Sequence, residues 1–232
     1  MFGGNKNMKA FNFDNFTRIT CEDDCYYATK QVLEGEYDVS FYCSPETEVT
    51  IVDIGANIGA FAIWALKKWN PNSIYCYEPL KRNFNQLLTN ILHLPPTRAK
   101  IMLTNKAIEA PNSKLYFEKH STASASFYDD LLCNDLTEEF EEIESMAAKD
   151  LPDCTILKVD TEGCELQIIT KYLEIREEHP AVIMFEYHRD DDRRKLDDLL
   201  YQYNYHLASG VARSNVLGTW KYFHDRVPII WT

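Results

Sequence analysis

Apolar residues fall along this chain in two alternating rhythms. Short runs of strand character occupy 49–54, 74–78, 100–104, 114–118, 155–160 and 181–187, and helical spacing marks 60–69, 80–92, 137–149, 164–174 and 192–203. Runs such as "IVDI" and "AVIMFEY" are almost continuously apolar, the pattern of strands covered on both faces. Helices between successive strands return the chain for parallel pairing, so the pattern predicts a doubly wound α/β domain. After about residue 205 the rhythm changes to aromatic and polar alternation in "YHLASG" and "WKYFHDRVPIIWT", which suits antiparallel strands closing one edge. The stretch before residue 49 reads as an N-terminal cap or lid segment, 1–48, ahead of a main domain over 49–232. Its short helical pattern in "YYATKQVLEGEYD" is expected to cover an edge or end of the sheet, or to close over a substrate pocket.

Two acidic runs read as solvated helix faces. In "DDLLCNDLTEEFEEIESMAAKD" the apolar residues Leu131, Leu132, Leu136, Phe140 and Ile143 recur at helical spacing. In "RDDDRRKLDD" the four-residue spacing of Asp190 with Arg194, and of Asp191 with Lys195, predicts exposed helical ion pairs.

Composition narrows the function classes. A chain of 232 residues with 45% hydrophobic and 13% aromatic residues buries a core as one domain. The net charge of -12 repels a phosphate backbone, and no basic stripe opposes it, so nucleic acid is not an expected partner. The seven cysteines are odd in number and scattered, which favours a reducing compartment. Cys21 and Cys25 lack a second Cys or His pair at zinc spacing, so no metal is assigned to them. Neither a signal peptide nor a membrane span is indicated, and the expected location is cytoplasmic.

The chemistry concentrates at strand ends. "IVDIGANIGAF", 51–61, ends a buried strand in Gly-x-Asn-x-Gly at a helix start. This places unbranched backbone and free N–H groups where open α/β sheets bind ligands. Gly55 and Gly59 allow close approach, while Asp53 and Asn57 add hydrogen-bonding groups. The spacing departs from G-x-G-x-x-G and lacks a P-loop lysine, which argues against a pyrophosphate. Glu78, about twenty residues beyond the glycines, closes the next strand where an acid reaches ribose hydroxyls. A nucleoside without a diphosphate fits this pair, and S-adenosylmethionine is the common cofactor of that profile.

The third stretch is "ILKVDTEGCELQII", 156–169, which presents Lys158, Asp160 and Glu162 near a strand end before Gly163 turns the chain into a helix. With "VDIGANIGAF", "CYEP" and the upstream "EGEYD", its "LKVDTEGCE" resembles the FkbM family of S-adenosylmethionine-dependent methyltransferases over roughly residues 31–190. That family typically carries Leu-Lys-Ile-Asp-x-Glu-Gly-x-Glu. Thr161 and Cys164 stand where small apolar residues are more usual. The resemblance implies a class I, Rossmann-like, seven-strand fold and methyl transfer to a hydroxyl of a sugar or natural product. It assigns Asp53, Gly55, Asn57 and Gly59 to the cofactor loop, Glu78 to the ribose, and Asp160, Glu162 and Gly163 to the late signature. Ser124 and Ser126 match the family's Ser-rich segment, with His120 beside it.

A hydroxyl acceptor must lose a proton, and Asp160 is the leading candidate, by taking it or by holding a divalent ion that acidifies the hydroxyl. It also borders the cofactor. Glu162 assists, or alternatively caps the following helix. His188 in "FEYHRD" faces the same side as Glu186 and is the other candidate base. Lys158 suits neutralisation of the acids. Three other readings share the sheet: N-methylation of a peptide or small molecule, an NAD(P)-dependent oxidoreductase, and a non-catalytic nucleoside-binding protein. The partner expected is a small-molecule or glycan acceptor.

Overall fold

A computed structural model describes residues 8–15, 17–39, 48–109, 114–117, 125–126, 140–214 and 217–226. The chain begins with the hairpin β1 (Met8–Asn12) and β2 (Arg18–Glu22), followed by α1 (Tyr26–Leu33). Then β3 (Thr50–Ile54), α2 (Ala60–Trp69), β4 (Ser73–Tyr77), α3 (Lys81–Leu92) and β5 (Lys100–Thr104) alternate as the sequence rhythm predicts. Short strands follow: β6 (Ala107–Ile108), β7 (Lys114–Phe117), β8 (Ala125–Ser126), β9 (Phe140–Glu142) and β10 (Ser145–Met146). The second half holds β11 (Ile156–Val159), α4 (Glu165–Glu174), β12 (Val182–Tyr187), α5 (Asp190–Gln202), β13 (Tyr205–Ser214) and β14 (Leu217–His224).

Seven strands form one sheet in the order β13-β14-β12-β11-β3-β4-β5. The run from β12 to β5 is parallel, while β14 pairs antiparallel with both β12 and β13. From β3 the order proceeds one way to β4 and β5, and the other way to β11 and β12. The crevice between β3 and β11 is therefore the switch point, where open sheets bind ligands.

Alternation along the strands sorts the core into two layers. Val52, Ile54, Leu157, Val159, Ile183 and Phe185 pack against Ile168, Tyr172, Leu196 and Leu200 of α4 and α5. Ile51, Ile74, Ile156, Val182 and Met184 meet Phe61, Trp64, Ala65 and Leu87 of α2 and α3. Asp53 and Lys158 lie on this second face by the same two-residue period. The β1–β2 hairpin of the cap packs on α2 and α3, while the end of the cap reaches the β13–β14 edge of the sheet. Ile19, Cys21 and Cys25 bury Ile58 and Ile63. The Asn90 side chain donates to the Thr20 carbonyl (3.0 Å) and to the Ile58 carbonyl (2.9 Å), tying β2 to α3.

Two sequence expectations are corrected. In the part of 137–149 that is described, the chain forms β9, β10 and a short 3-10 turn (Ala148–Asp150) rather than a helix. Crowded glutamates such as Glu138 with Glu142 and Glu141 with Glu144 weaken a helix, and β10 instead pairs in parallel with β6. Arg194 does pair with Asp190 (2.8 Å), but Lys195 turns to Asp192 (3.7 Å) instead of Asp191. The five described cysteines are free thiols, four of them buried. Among the described residues no helix is long and apolar enough to cross a membrane.

Candidate active site

The turn after β3 brings two strand ends into contact. Gly55 has φ +76°, and a Cβ there would lie 1.6 Å from the Asp160 carbonyl oxygen, so only glycine permits this approach. Gly59, with φ +88°, opens α2, and a Cβ there would meet Leu87 Cδ1 at 2.6 Å. Its role is packing. The sequence suggested free N–H groups in this turn, but four of them are engaged. Those of Gly55 and Ala56 donate to the Tyr77 carbonyl (3.0 Å each), that of Gly59 donates to Ala56 (2.8 Å), and that of Asn57 donates to Glu78 Oε2 (2.8 Å).

Glu78 is thereby a clamp as well as a cavity wall. Its second oxygen accepts from the Leu80 N–H (2.9 Å), joining the glycine turn to the start of α3. Burial pushes its carboxyl up to about 7, against the pull of those two N–H donors. Each oxygen retains acceptor capacity for a further donor.

Beneath the turn lies a buried ion pair. Asp53 and Lys158 stand in register on β3 and β11, with Nζ 3.1 Å from Asp53 Oδ1 and side chains 0% and 3% exposed. The same ammonium donates to the Gly55 carbonyl (2.7 Å) and lies 3.5 Å from Asp160 Oδ2. Burial would lower the Lys158 pKa, but Asp53 and Asp160 raise it above the ordinary lysine value, so the cation is retained. Asp53 thus supports the turn from below and is not among the residues lining the cavity.

Beyond Asp160 the acids gather. Tyr37, from the end of the cap and 1% exposed, donates its hydroxyl to Asp160 Oδ2 (3.2 Å). Glu162 sits at φ +58°, a left-handed conformation unusual for glutamate, ahead of Gly163 at φ +120°. His188 Nε2 is 3.0 Å from Glu162 Oε2, and its Nδ1 is 3.3 Å from Glu165 Oε1. That second contact is an ion-pair approach without hydrogen-bond alignment, since Nδ1 has no hydrogen-bond partner. Glu165, rather than Glu162, takes the turn's backbone donors, from Thr161 (2.9 Å) and Gly163 (3.1 Å). Arg213 of β13 binds Glu186 Oε1 (2.7 Å) and also Glu36 of the cap.

Burial raises Glu162 to about 7 and, together with the Asp160 charge, Glu186 to about 8. Burial works to lower His188, yet Glu165, Glu162 and Asp160 hold it up to about 9. A cavity of about 340 Å³ joins these groups to Gly55, Asn57 and Glu78, with Tyr77, Leu80, Ala107 and Ile108 as apolar wall.

The sequence model of the methyltransferase FkbM domain matches residues 53–207. The chain belongs to this family. It is an S-adenosylmethionine-dependent methyltransferase, which displaces the oxidoreductase and idle-fold readings. No curated protein sequence matches the chain. Among solved structures it is similar to M. jannaschii TYW2 in complex with AdoMet, at 12% identity and a TM-score of 0.50, covering 97% of this chain and 90% of that one. It is also similar to precorrin-6y C5,15-methyltransferase from Geobacter metallireducens, at 14% identity, TM-score 0.48, and 86% and 87% coverage. The ribosomal protein L11 methylase of Lactobacillus delbrueckii subsp. bulgaricus gives 12% identity, TM-score 0.48, and 93% and 98% coverage. At 12% identity the likeness to the first of these is one of fold, the class I, Rossmann-like one.

The FkbM chain brings Gly55, Asn57, Glu78, Asp160, Glu162 and His188 to one cavity, and leaves Asp53 and Gly59 behind its wall. His120 and Ser124 lie outside the described residues, and Ser126 is described only through its pairing with Tyr116. Sequence reasoning missed Tyr37, Glu165 and Arg213 as members of the site. Tyr37 sits in the "EGEYD" stretch that carried part of the family resemblance, whereas nothing in the sequence around Arg213 marks it.

Proposed function

We propose that this FkbM chain methylates a hydroxyl of a sugar or natural product bound at the acidic end of the cavity. The observation that carries this reading is the continuity of one cavity, from the glycine turn and Glu78 to Asp160, Glu162, Glu186 and His188. Gly55 and Asn57 would border the amino-acid part of S-adenosylmethionine, and Glu78 would accept from its ribose. Leu80, Ala107 and Ile108 supply apolar surface for its base. When bound, the cofactor provides an electrophilic methyl on a positively charged sulfur, and the excess of carboxylates suits that charge.

The chain's own residues then deal with the acceptor's proton. Asp160 and Glu162 are the carboxylates at hand, and a carboxyl near 7, as at Glu162, is matched to proton transfer at neutral pH. His188, held as an imidazolium between Glu162 and Glu165, orients Glu162 and is a poor free base at neutral pH. The described part of the cap contributes to the cavity wall: Ala28 lines it and Tyr37 donates to Asp160. The net charge of -12 favours a small-molecule or glycan acceptor over nucleic acid, and the free thiols fit a cytoplasmic location.

The test pairs binding with turnover. In Asp160→Asn, calorimetry should show S-adenosylhomocysteine binding close to that of wild type. Methyl transfer to a panel of hydroxylated acceptors should fall about 10²- to 10⁴-fold. Full turnover in that variant removes Asp160 from the proton path, and turnover of amines alone overturns the hydroxyl assignment.

A further inference from the structure

We infer that Asp160, Glu186 and His188 form a binding site for one divalent cation of the Mn²⁺ or Mg²⁺ class at the acceptor end of the cavity. One ligand atom from each of the three lies within 4.8 Å of the others. Oxygen and nitrogen donors sharing an ion at about 2.1 Å stand about 3 Å apart when adjacent and about 4 Å apart when opposite. Small side-chain adjustments therefore close this triangle on an ion. The three donors come from the carboxyl ends of neighbouring strands, β11 and β12, so the sheet fixes their spacing.

A second observation is independent of the cluster's composition. Each carboxylate donor is held from behind by partners that engage one of its two oxygens. Tyr37 and Lys158 engage Asp160 through Oδ2, and Arg213 engages Glu186 through Oε1. Among the described residues the hydrogen bonds to these carboxylates fall on Asp160 Oδ2 and Glu186 Oε1 and not on Asp160 Oδ1 or Glu186 Oε2. Both His188 nitrogens face carboxylates, Nε2 that of Glu162 at 3.0 Å and Nδ1 that of Glu165 at 3.3 Å, so ligation releases the imidazolium proton to solvent and exchanges one of these contacts for the ion, while Glu165 stays anchored on the Thr161 and Gly163 N–H groups. Outer partners of this kind, a carboxylate beside the imidazole and donors behind the carboxylates, are what orient metal ligands.

Asp160, Glu162 and Glu186 line the cavity, and the cations beside them are shared with other acids, Lys158 with Asp53, Arg213 with Glu36 and His188 with Glu165. Two carboxylate oxygens and one imidazole nitrogen suit a hard to borderline ion that keeps several waters. Its open positions face the cavity, where the hydroxyl of an acceptor, or two neighbouring hydroxyls of a diol, can replace water. An ion there lowers the hydroxyl's pKa, and the proton passes to the Glu162 carboxylate. This role rests on the hydroxyl-acceptor reading above, whereas ion binding itself does not.

The experiment titrates Mn²⁺ into the full chain preloaded with S-adenosylhomocysteine and reads the free-Mn²⁺ electron paramagnetic resonance signal. One Mn²⁺ per chain is expected, displaced by excess Mg²⁺. Affinity should be weakened about 10- to 100-fold in Glu186→Gln and in His188→Ala. Asp192→Asn on the surface of α5 should bind as wild type does. Absence of stoichiometric uptake by wild type overturns the inference, as does equal uptake by both site variants. Should Glu186→Gln lose its native circular dichroism spectrum, His188→Ala carries the comparison. Calorimetry with S-adenosylhomocysteine on the same samples separates the two readings: cofactor binding without Mn²⁺ uptake sinks the ion site alone.

Discussion

Replacing Lys158 with methionine tests whether the ion pair beneath the glycine turn holds it together. Methionine keeps the length and most of the apolar volume, so the change removes the ammonium without opening a large cavity. What remains is Asp53, 0% exposed, whose nearest cation is gone. Removing one partner of a buried pair costs about 3–5 kcal/mol, and the Gly55 carbonyl loses its 2.7 Å donor in addition. For a domain of this size each kcal/mol lowers Tm by about 2–4 °C, so a fall of roughly 6–20 °C is expected in thermal unfolding at pH 7. Urea unfolding followed by circular dichroism gives the free energy directly. The double variant Asp53→Asn/Lys158→Met removes the orphaned charge and should recover at least half of the loss, because neutralising both partners is far less costly than breaking the pair. A loss below about 1 kcal/mol in Lys158→Met, or a double variant no more stable than the single one, would refute the argument.

Gly55→Ala forces a Cβ into the space of the Asp160 carbonyl, 1.6 Å away, and strains a φ of +76°. S-adenosylhomocysteine affinity by calorimetry should drop tenfold or more, about 1.4 kcal/mol, and an unchanged affinity would separate the turn from the cofactor. Glu78 makes a pH prediction. The folded state binds this proton more tightly than the unfolded chain, so folding is favoured below the ordinary glutamate pKa and penalised as pH rises towards about 7. Glu78→Gln should therefore unfold in urea with a shallower loss of stability between pH 5 and 8 than wild type. Identical slopes would mean that the carboxyl titrates as an exposed one.

The sheet was legible because each buried parallel strand is a short apolar run between helices of clear period. The six predicted runs all contain strands, and four of the five helical segments hold α2 to α5. The segment 137–149 failed because its apolar spacing was a weak cue beside its crowded glutamates. Parallel pairing with Ala107–Ile108, decided by tertiary contacts, is invisible in a local window. Within the site, Gly55, Asn57, Glu78, Asp160 and Glu162 were readable because strand-end turns demand particular residue types. Asp53 was readable as important, but not its direction: the two-residue period puts it on the α2 face, under the turn and out of the cavity. Tyr37 and Arg213 act through contacts that span 123 and 27 residues, with Asp160 and Glu186 respectively, and no spacing rule reaches across such gaps.

Those long-range contacts tie the cap and the β13–β14 hairpin to the strand ends at the cavity. Glu36 accepts from Thr219 Oγ1 (2.6 Å), pairs with Arg213, and gives its carbonyl to Lys221 Nζ (2.9 Å). Lys221 also donates to the Asp38 carbonyl (3.2 Å). The end of the cap is thus bound to the β13–β14 hairpin on one side, and through Tyr37 to Asp160 on the other. The switch point of the sheet supplies Asp160, Glu186 and His188, whatever the rest of the chain does. The cap and hairpin set which of their oxygens face the cavity, by occupying the others. Under the proposed reading, acceptor preference then falls to the cap and the hairpin, the segments with the least regular sequence pattern, because these complete the walls around the strand ends.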